Sequence, residues 1–294
     1  MKVAVTGASG FVGGHVVNAL AQHRDVEIVT VSRRRLSAER LPPGVDQVTL
    51  DIAAATDADY DRIGRPDILI HLAWGGLPNY LSPHHFDAEL PAQYRFLRGL
   101  IEAGLPSLLV TGTCYEYGML TGELSEEMTG APVNAYAQAK TALHDQLQAL
   151  QASTPFALTW ARLFYLWGPG QAAGSLFPLL RAAVERGDPR FPMSQGDQLR
   201  DYLPIEQAAR ILVALALHRE DLGIVNVCSG KPISIRSLVE QWLRDNGWRI
   251  DLEFGAFPYP AYEPLAFWGS TAKLDGLLSS DAGGARSPNG PRHS

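Results

Sequence analysis

MKVAVTGASGFVGGHVV, residues 1–17, sets three glycines three apart, at Gly7, Gly10 and Gly13. Before them, KVAVTG is a short apolar, β-branched run. After them, GGHVVNALAQHR repeats apolar residues at helical spacing, so the glycines sit on a strand-to-helix turn. Such a turn uses one glycine for an unusual backbone angle, one to let the main chain approach a pyrophosphate, and one for close packing of helix on strand. The helix N-terminus then offers its amides to the phosphates. The same glycines also suit a tight turn that binds nothing, and the pattern by itself leaves both readings open.

Working outward, the alternation continues. VEIVTVS, DQVTLDI, PDILIHLAW and PSLLVTGTC read as further strands, with helical stretches such as ELPAQYRFLRGLIEAG between them. Strands alternating with helices imply an α/β fold, a doubly wound parallel sheet covered on both faces. After FALTWARLFYLWGPGQ the rhythm changes. Proline and glycine become frequent, a helix SLFPLLRAAVERG precedes the polar MSQGDQLRDYLP, and the strand-like GIVNVCSG leads to a helix SIRSLVEQWLRDNG. The expected organisation is a nucleotide-binding domain over 1–164, rejoined by segments around 203–227, with a smaller substrate-binding lobe over 165–278. Residues 279–294, small and polar, read as a disordered tail.

Composition narrows the function. The chain has 294 residues, 46% of them hydrophobic, enough for one large or two coupled domains. A net charge of -6, with no basic face interleaved by aromatics, argues against a nucleic-acid partner. No apolar run approaches the roughly 18 residues of a spanning helix, and no charged leader precedes the first strand, so the expectation is a soluble cytoplasmic protein away from membranes. Cys114 and Cys228 show no metal or redox spacing, so both are expected reduced and no metal is expected.

NAYAQAKTALHDQLQAL places Tyr136 and Lys140 four apart on one helix face. An ammonium beside a phenol stabilises the phenolate and brings the phenol, ordinarily near 10, closer to the range of proton transfer. A half-buried tyrosine and a solvated lysine at this spacing also occur without any such role. The order of the motifs is more specific. TGASGFVG, HLAW, TGTCYEYG, Tyr136-x-x-x-Lys140, RLFYLWGPGQ and RDYLPI follow one another as in the extended short-chain dehydrogenase/reductases, the branch holding nucleotide-sugar epimerases, dehydratases and reductases. The chain resembles that family from Met1 to about residue 275.

The resemblance implies a Rossmann-type fold and a hydride-transfer site. By position, Thr113, Tyr136 and Lys140 are the catalytic residues: Thr113 bonds to the reacting sugar oxygen, Tyr136 passes the proton, and Lys140 holds the nicotinamide ribose. Gly7, Ser9, Gly10, Phe11, Val12, Asp51, Ile52, Leu72, Ala73, Trp74 and Phe164 join Tyr136 and Lys140 as expected cofactor contacts. Cys114, Tyr115, Tyr165, Gln171 and Arg200 join Thr113 as expected substrate contacts, with Arg200 on the substrate diphosphate rather than in a surface salt bridge to Asp201. His71 reads as a satisfied strand-end histidine. Trp74 and Tyr165 suit either the floor of a sugar pocket or core packing, and the sequence leaves that open. A homodimer packed through the Tyr136 helix and ELPAQYRFLRGLI is also implied.

Departures from the family pattern refine the expectation. The sugar 4,6-dehydratases carry an Asp and a Glu directly after the catalytic Thr, where this chain has Cys114 and Tyr115, so loss of water is disfavoured. NAD-binding members place an acid at the end of the second strand, whereas VEIVTVSRRR ends in Ser32 followed by Arg33 and Arg34, which suit a 2'-phosphate. NADP(H) is therefore favoured, with NAD(H) possible. The expected reaction is NADPH-dependent reduction of the C4 ketone of a nucleotide-linked 4-keto-6-deoxyhexose. The pattern looks similar to reductases making dTDP-6-deoxyhexoses such as dTDP-6-deoxy-L-talose for surface polysaccharides. The rivals are an NAD-dependent epimerase and a non-catalytic NADP-sensing regulator, the latter argued against by the complete Thr113, Tyr136 and Lys140 set.

Overall fold

Strand follows helix from the first residues of the computed structural model, which describes residues 1–56 and 58–284. The first half of the chain runs β1 (Lys2–Thr6), α1 (Phe11–Leu20), β2 (Glu27–Ser32), β3 (Asp46–Thr49), α2 (Asp59–Arg62), β4 (Ile68–His71), α3 (Leu90–Glu102), β5 (Ser107–Thr113), β6 (Gly122–Leu124), α4 (Ala135–Gln151) and β7 (Ala157–Leu163). The second half runs β8 (Tyr165–Trp167), α5 (Leu176–Arg186), β9 (Arg190–Pro192), β10 (Leu199–Pro204), α6 (Ile205–His218), β11 (Gly223–Val227), β12 (Pro232–Ser234), α7 (Ile235–Asn246), β13 (Asp251–Glu253), β14 (Phe267–Gly269) and α8 (Ala272–Gly284).

Seven parallel strands form one sheet in the order β11-β7-β5-β4-β1-β2-β3. Its central strands are buried on both sides, which is why they read as near-continuous apolar runs. One face packs Val16, Val17 and Leu20 of α1 with Leu212 and Leu215 of α6; the other packs Phe96 and Leu100 of α3 with Leu143 and Leu147 of α4. The chain winds outward from β1 to β3 and then crosses to β4 on the other side. The carboxyl ends of β1 and β4 therefore border the crevice where such sheets bind ligands.

The opening glycines have measurable reasons to lack a side chain. Gly7 has φ +71, and a Cβ there would lie 2.8 Å from the Ala73 amide nitrogen, where β4 exits. A Cβ at Gly13 would run into the Gly7 carbonyl, so that glycine lets α1 close against the loop. The first turn of α1 carries no acidic residue that would oppose an anion.

A second cluster forms around Leu180, Phe191, Val239 and Trp242, between α5, β9 and α7. Beside it lie a three-stranded sheet, β12-β10-β8, and the pairs β13-β9 and β14-β6. The chain then returns to the large sheet: α6 packs on the α1 face and β11 pairs with β7. Helix α8 also returns there, with Leu274 buried in that layer and Lys273 donating to the Leu222 and Ile224 carbonyls, both at 2.7 Å. Chain order alone assigned its opening residues to the smaller lobe. Residues 279–284 lie in α8, where a disordered tail was expected to begin, and the remainder of that tail, 285–294, lies outside the described residues. Among the described residues, no helix is long and apolar enough to cross a membrane.

Candidate active site

A groove of about 560 Å³ opens at the crevice. Gly7, Ser9, Gly10, Ser32, Arg33, Asp51, Ile52, Leu72, Ala73 and Trp74 all line it, which gathers most of the expected cofactor contacts. Asp51 also fixes the groove wall by accepting from the Ala53 amide at 3.1 Å. Phe11 lines an adjoining recess beside Ser9 and Arg40, and Val12 packs on the core beneath. Two of the expected contacts are not among the groove-lining residues. Phe164 is 4% exposed and packs between the rings of Tyr117 and Phe267, because that junction needs an apolar filler. Arg34 lies outside the groove residues, and its carbonyl accepts from the Ser32 hydroxyl at 2.7 Å. A glycine cradle and an acid-free helix N-terminus together fit a dinucleotide diphosphate.

Sequence reasoning missed the far wall of the groove. Thr6 Oγ1 bonds to His71 Nδ1 at 2.9 Å, His71 Nε2 to Gln93 Oε1 at 2.8 Å, and Gln93 Nε2 to Glu89 Oε2 at 2.8 Å. The Gln93 amide must turn its nitrogen to the carboxylate, so its oxygen faces His71 and the imidazole carries its proton on Nε2. Both ring nitrogens of His71 are satisfied, as the sequence suggested. Burial, then the nearby Lys140 charge, brings its pKa down to about 3. Burial would raise the Glu89 carboxyl, but donors from Gly75, Gln93 and His84 outweigh it and hold the group below its ordinary value.

Beyond Trp74 the groove meets the expected catalytic cluster. Thr113 ends β5, and its hydroxyl accepts from the Tyr115 amide at 3.3 Å. Asn134 caps α4 by accepting from the Ala137 amide at 2.9 Å, which sets Tyr136 in the first turn. The Tyr136 amide donates to the Tyr80 carbonyl at 3.0 Å, and its ring packs among Trp74, Tyr80 and His85. Lys140 donates to the Thr111 carbonyl at 2.8 Å and stands 4.1 Å from the centre of the Trp74 ring. That arrangement corrects one expectation. Burial, followed by Tyr80, Glu116 and Cys114, pushes the Tyr136 phenol above its ordinary value, because the lysine turns to Thr111 and Trp74 instead. Burial brings Lys140 itself down to about 7, against the pull of Glu116 and Glu89.

Two of the expected substrate contacts, Tyr115 and Arg200, meet at Glu263, which no motif singles out. Its carboxylate accepts from the Tyr115 hydroxyl at 2.7 Å and from Arg200 Nη2 at 2.8 Å. The Tyr115 and Tyr165 hydroxyls lie 3.3 Å apart. Arg200 is 1% exposed and gives Nη1 to the Leu199 and Leu265 carbonyls, so it is neither an open cation nor paired to Asp201. Asp201 instead accepts from Ser229 and Gly230 and ties two chain segments together. Cys114 is buried, and burial pushes its thiol well above the ordinary range; burial does the same to the Tyr115 phenol. Gln171 donates to the Leu166 carbonyl at 3.0 Å, while its buried Oε1 has no hydrogen-bond partner among the described residues. Glu263 is a lone acid in PAYEPLAF, far along the chain from Arg200, and no spacing connects them.

Comparison with known proteins bears on this geometry. Residues 3–228 match the NAD dependent epimerase/dehydratase family. Among curated proteins, the dTDP-6-deoxy-L-talose 4-dehydrogenase (NAD(+)) of Aggregatibacter actinomycetemcomitans is 28% identical over 272 residues, covering 92% of this chain and all of that one. The dTDP-6-deoxy-L-talose 4-dehydrogenase (NAD(P)(+)) of Kitasatospora kifunensis is 24% identical over 88% of this chain and 83% of its own. Among solved structures, the UDP-N-acetylglucosamine 4-epimerase from Methanobrevibacter ruminantium M1 superposes with a TM-score of 0.82 at 20% identity, covering 98% of this chain and 93% of that one, a likeness of fold.

Proposed function

This chain belongs to the NAD dependent epimerase/dehydratase family, and from that premise we propose that it reduces the C4 ketone of a nucleotide-linked 4-keto-6-deoxyhexose, with NADPH as the favoured cofactor. The product is dTDP-6-deoxy-L-talose or a related deoxysugar, made in the cytoplasm for surface polysaccharide. The cofactor supplies the hydride when bound in the groove. Tyr136 gives the proton that the new alkoxide at C4 requires. Thr113, whose oxygen already accepts from the Tyr115 amide, keeps its own hydrogen to donate to the same sugar oxygen. Lys140, one turn along α4, holds the nicotinamide ribose. Arg200 holds the diphosphate by exchanging Glu263 for it. The matching assembly is a homodimer packed through α3 and α4, which lie side by side.

The observation that carries the reading is the pair after Thr113. Neither is a carboxylate, and Cys114 and Tyr115 are both driven toward their protonated forms by burial, so neither is the base that removal of water needs. The names of the two 4-dehydrogenases support the sugar and the ring position. One is named for NAD(+) and the other for NAD(P)(+), so the NADPH preference rests on Ser32 and Arg33 in this chain. The test is incubation with deuterated NADPH and a panel of nucleotide-linked 4-keto-6-deoxy sugars. Deuterium at C4 and one NADPH consumed per sugar are expected. A flat nicotinamide absorbance, with epimerisation of an ordinary sugar nucleotide, overturns the reductase in favour of an epimerase.

A further inference from the structure

No step above uses Glu116, a carboxyl that is 2% exposed. All of its hydrogen bonds come from N–H donors. Oε1 accepts from the Thr113 amide at 2.7 Å and from the Trp160 indole at 3.1 Å; Oε2 accepts from the same indole at 3.0 Å and from Arg162 Nε at 2.7 Å. The chain makes room for this arrangement, since a Cβ on Gly112 would run into both the Trp160 indole nitrogen and Glu116 Oε1. Thr113 is thereby fixed at two points: its amide is held by Glu116, and its hydroxyl oxygen by the Tyr115 amide.

We propose that Glu116 is a positioning residue, holding Thr113 in register through its amide and placing a buried negative charge behind Lys140. This rests on the roles given to Thr113, Tyr136 and Lys140 above. A carboxylate sealed in the interior costs solvation that packing alone would avoid, and truncating it would strand Arg162. The charge has a use nearby. Burial pulls the Lys140 ammonium toward its neutral form, and the attractions that oppose this come from Glu116, in the turn after β5, and Glu89, before α3. The other groups around the lysine are His71 on β4, Tyr136 on its own helix, the Thr111 carbonyl and the Trp74 ring. A lysine kept charged makes the stronger, charge-assisted hydrogen bonds to a ribose hydroxyl; a neutral one does not.

The chain has four lysines, Lys2, Lys140, Lys231 and Lys273, so the Lys140 signal can be assigned and titrated by NMR in the full chain labelled with 13C-lysine, without substrate. Glu116→Gln is expected to lower the Lys140 midpoint by about one unit or more, the scale of losing a nearby opposite charge. It should also lower kcat roughly tenfold to a hundredfold, with substrate KM nearly unchanged. Glu116→Asp keeps the charge on a shorter arm: the midpoint should hold while kcat falls. An unchanged midpoint in Glu116→Gln, or wild-type kcat in Glu116→Asp, overturns the proposal. If the wild-type protein turns over no sugar in the panel, the reductase reading fails, while the lysine titration still decides the charge assigned to Glu116.

Discussion

Tyr136 is enclosed by Trp74, Tyr80 and His85, and the proposed reaction needs it to hold its proton until the substrate demands it. Tyr136→Phe removes the hydroxyl and keeps the ring that fills the space. Turnover should fall roughly 10²-fold or more, while fluorescence titration shows NADPH still binding; near-normal turnover would remove Tyr136 from the chemistry. His71 gives a prediction of a different kind. Its pKa is depressed to about 3 in the native state, against an ordinary 6.5, so as pH falls below 6.5 the unfolded chain takes up a proton that the native chain refuses. The stability His71 contributes is present above 6.5 and drains away as pH drops toward 3. His71→Gln should therefore lose less melting temperature than the wild type between pH 7 and pH 5; parallel curves would show that other groups govern the acid limb.

Among the elements, the end of β2 carries the proposed cofactor preference. Both Arg33 and Arg34 follow β2, and the sequence could not separate them, yet only Arg33 lines the groove. Arg33→Ala should weaken NADPH by tenfold or more while leaving NADH nearly unaffected, and Arg34→Ala should do much less; calorimetry with each cofactor decides it, and equal losses would make the run a general surface charge. The large sheet, α1, α3 and α4 were legible because their hydrophobic periods are long and clean. The Tyr136 and Lys140 pair was legible because both sit on one helix. Glu116 was within reach too: Thr113-x-x-Glu116 is a capping-box spacing at the end of a strand. Glu263 was not, since it reaches the site from a segment with no periodicity and acts only through partners distant in the chain. The electrostatic state of Tyr136 was also hidden, because spacing places two side chains on one face and says nothing about how deeply each is buried.

Across the whole molecule, Glu263 links Tyr115 of the first half to Arg200 of the second. If the substrate diphosphate must displace that carboxylate, Glu263→Gln should tighten binding of a nucleoside diphosphate severalfold by calorimetry, because a charged competitor is gone. Weaker binding would mean that Glu263 serves mainly to orient Arg200. A last consequence follows from β11, which lies beside β7 in the large sheet although more than fifty residues separate them in the chain. During synthesis, the ribosome must deliver the whole intervening stretch before β7 gains its outer neighbour. Until then the nascent chain exposes the unpaired backbone of a long apolar strand, the kind of surface that chaperones shield and that stray strands capture. A ribosome stalled before residue 223 would hold an aggregation-prone intermediate, however complete its glycine turn and α4 already were.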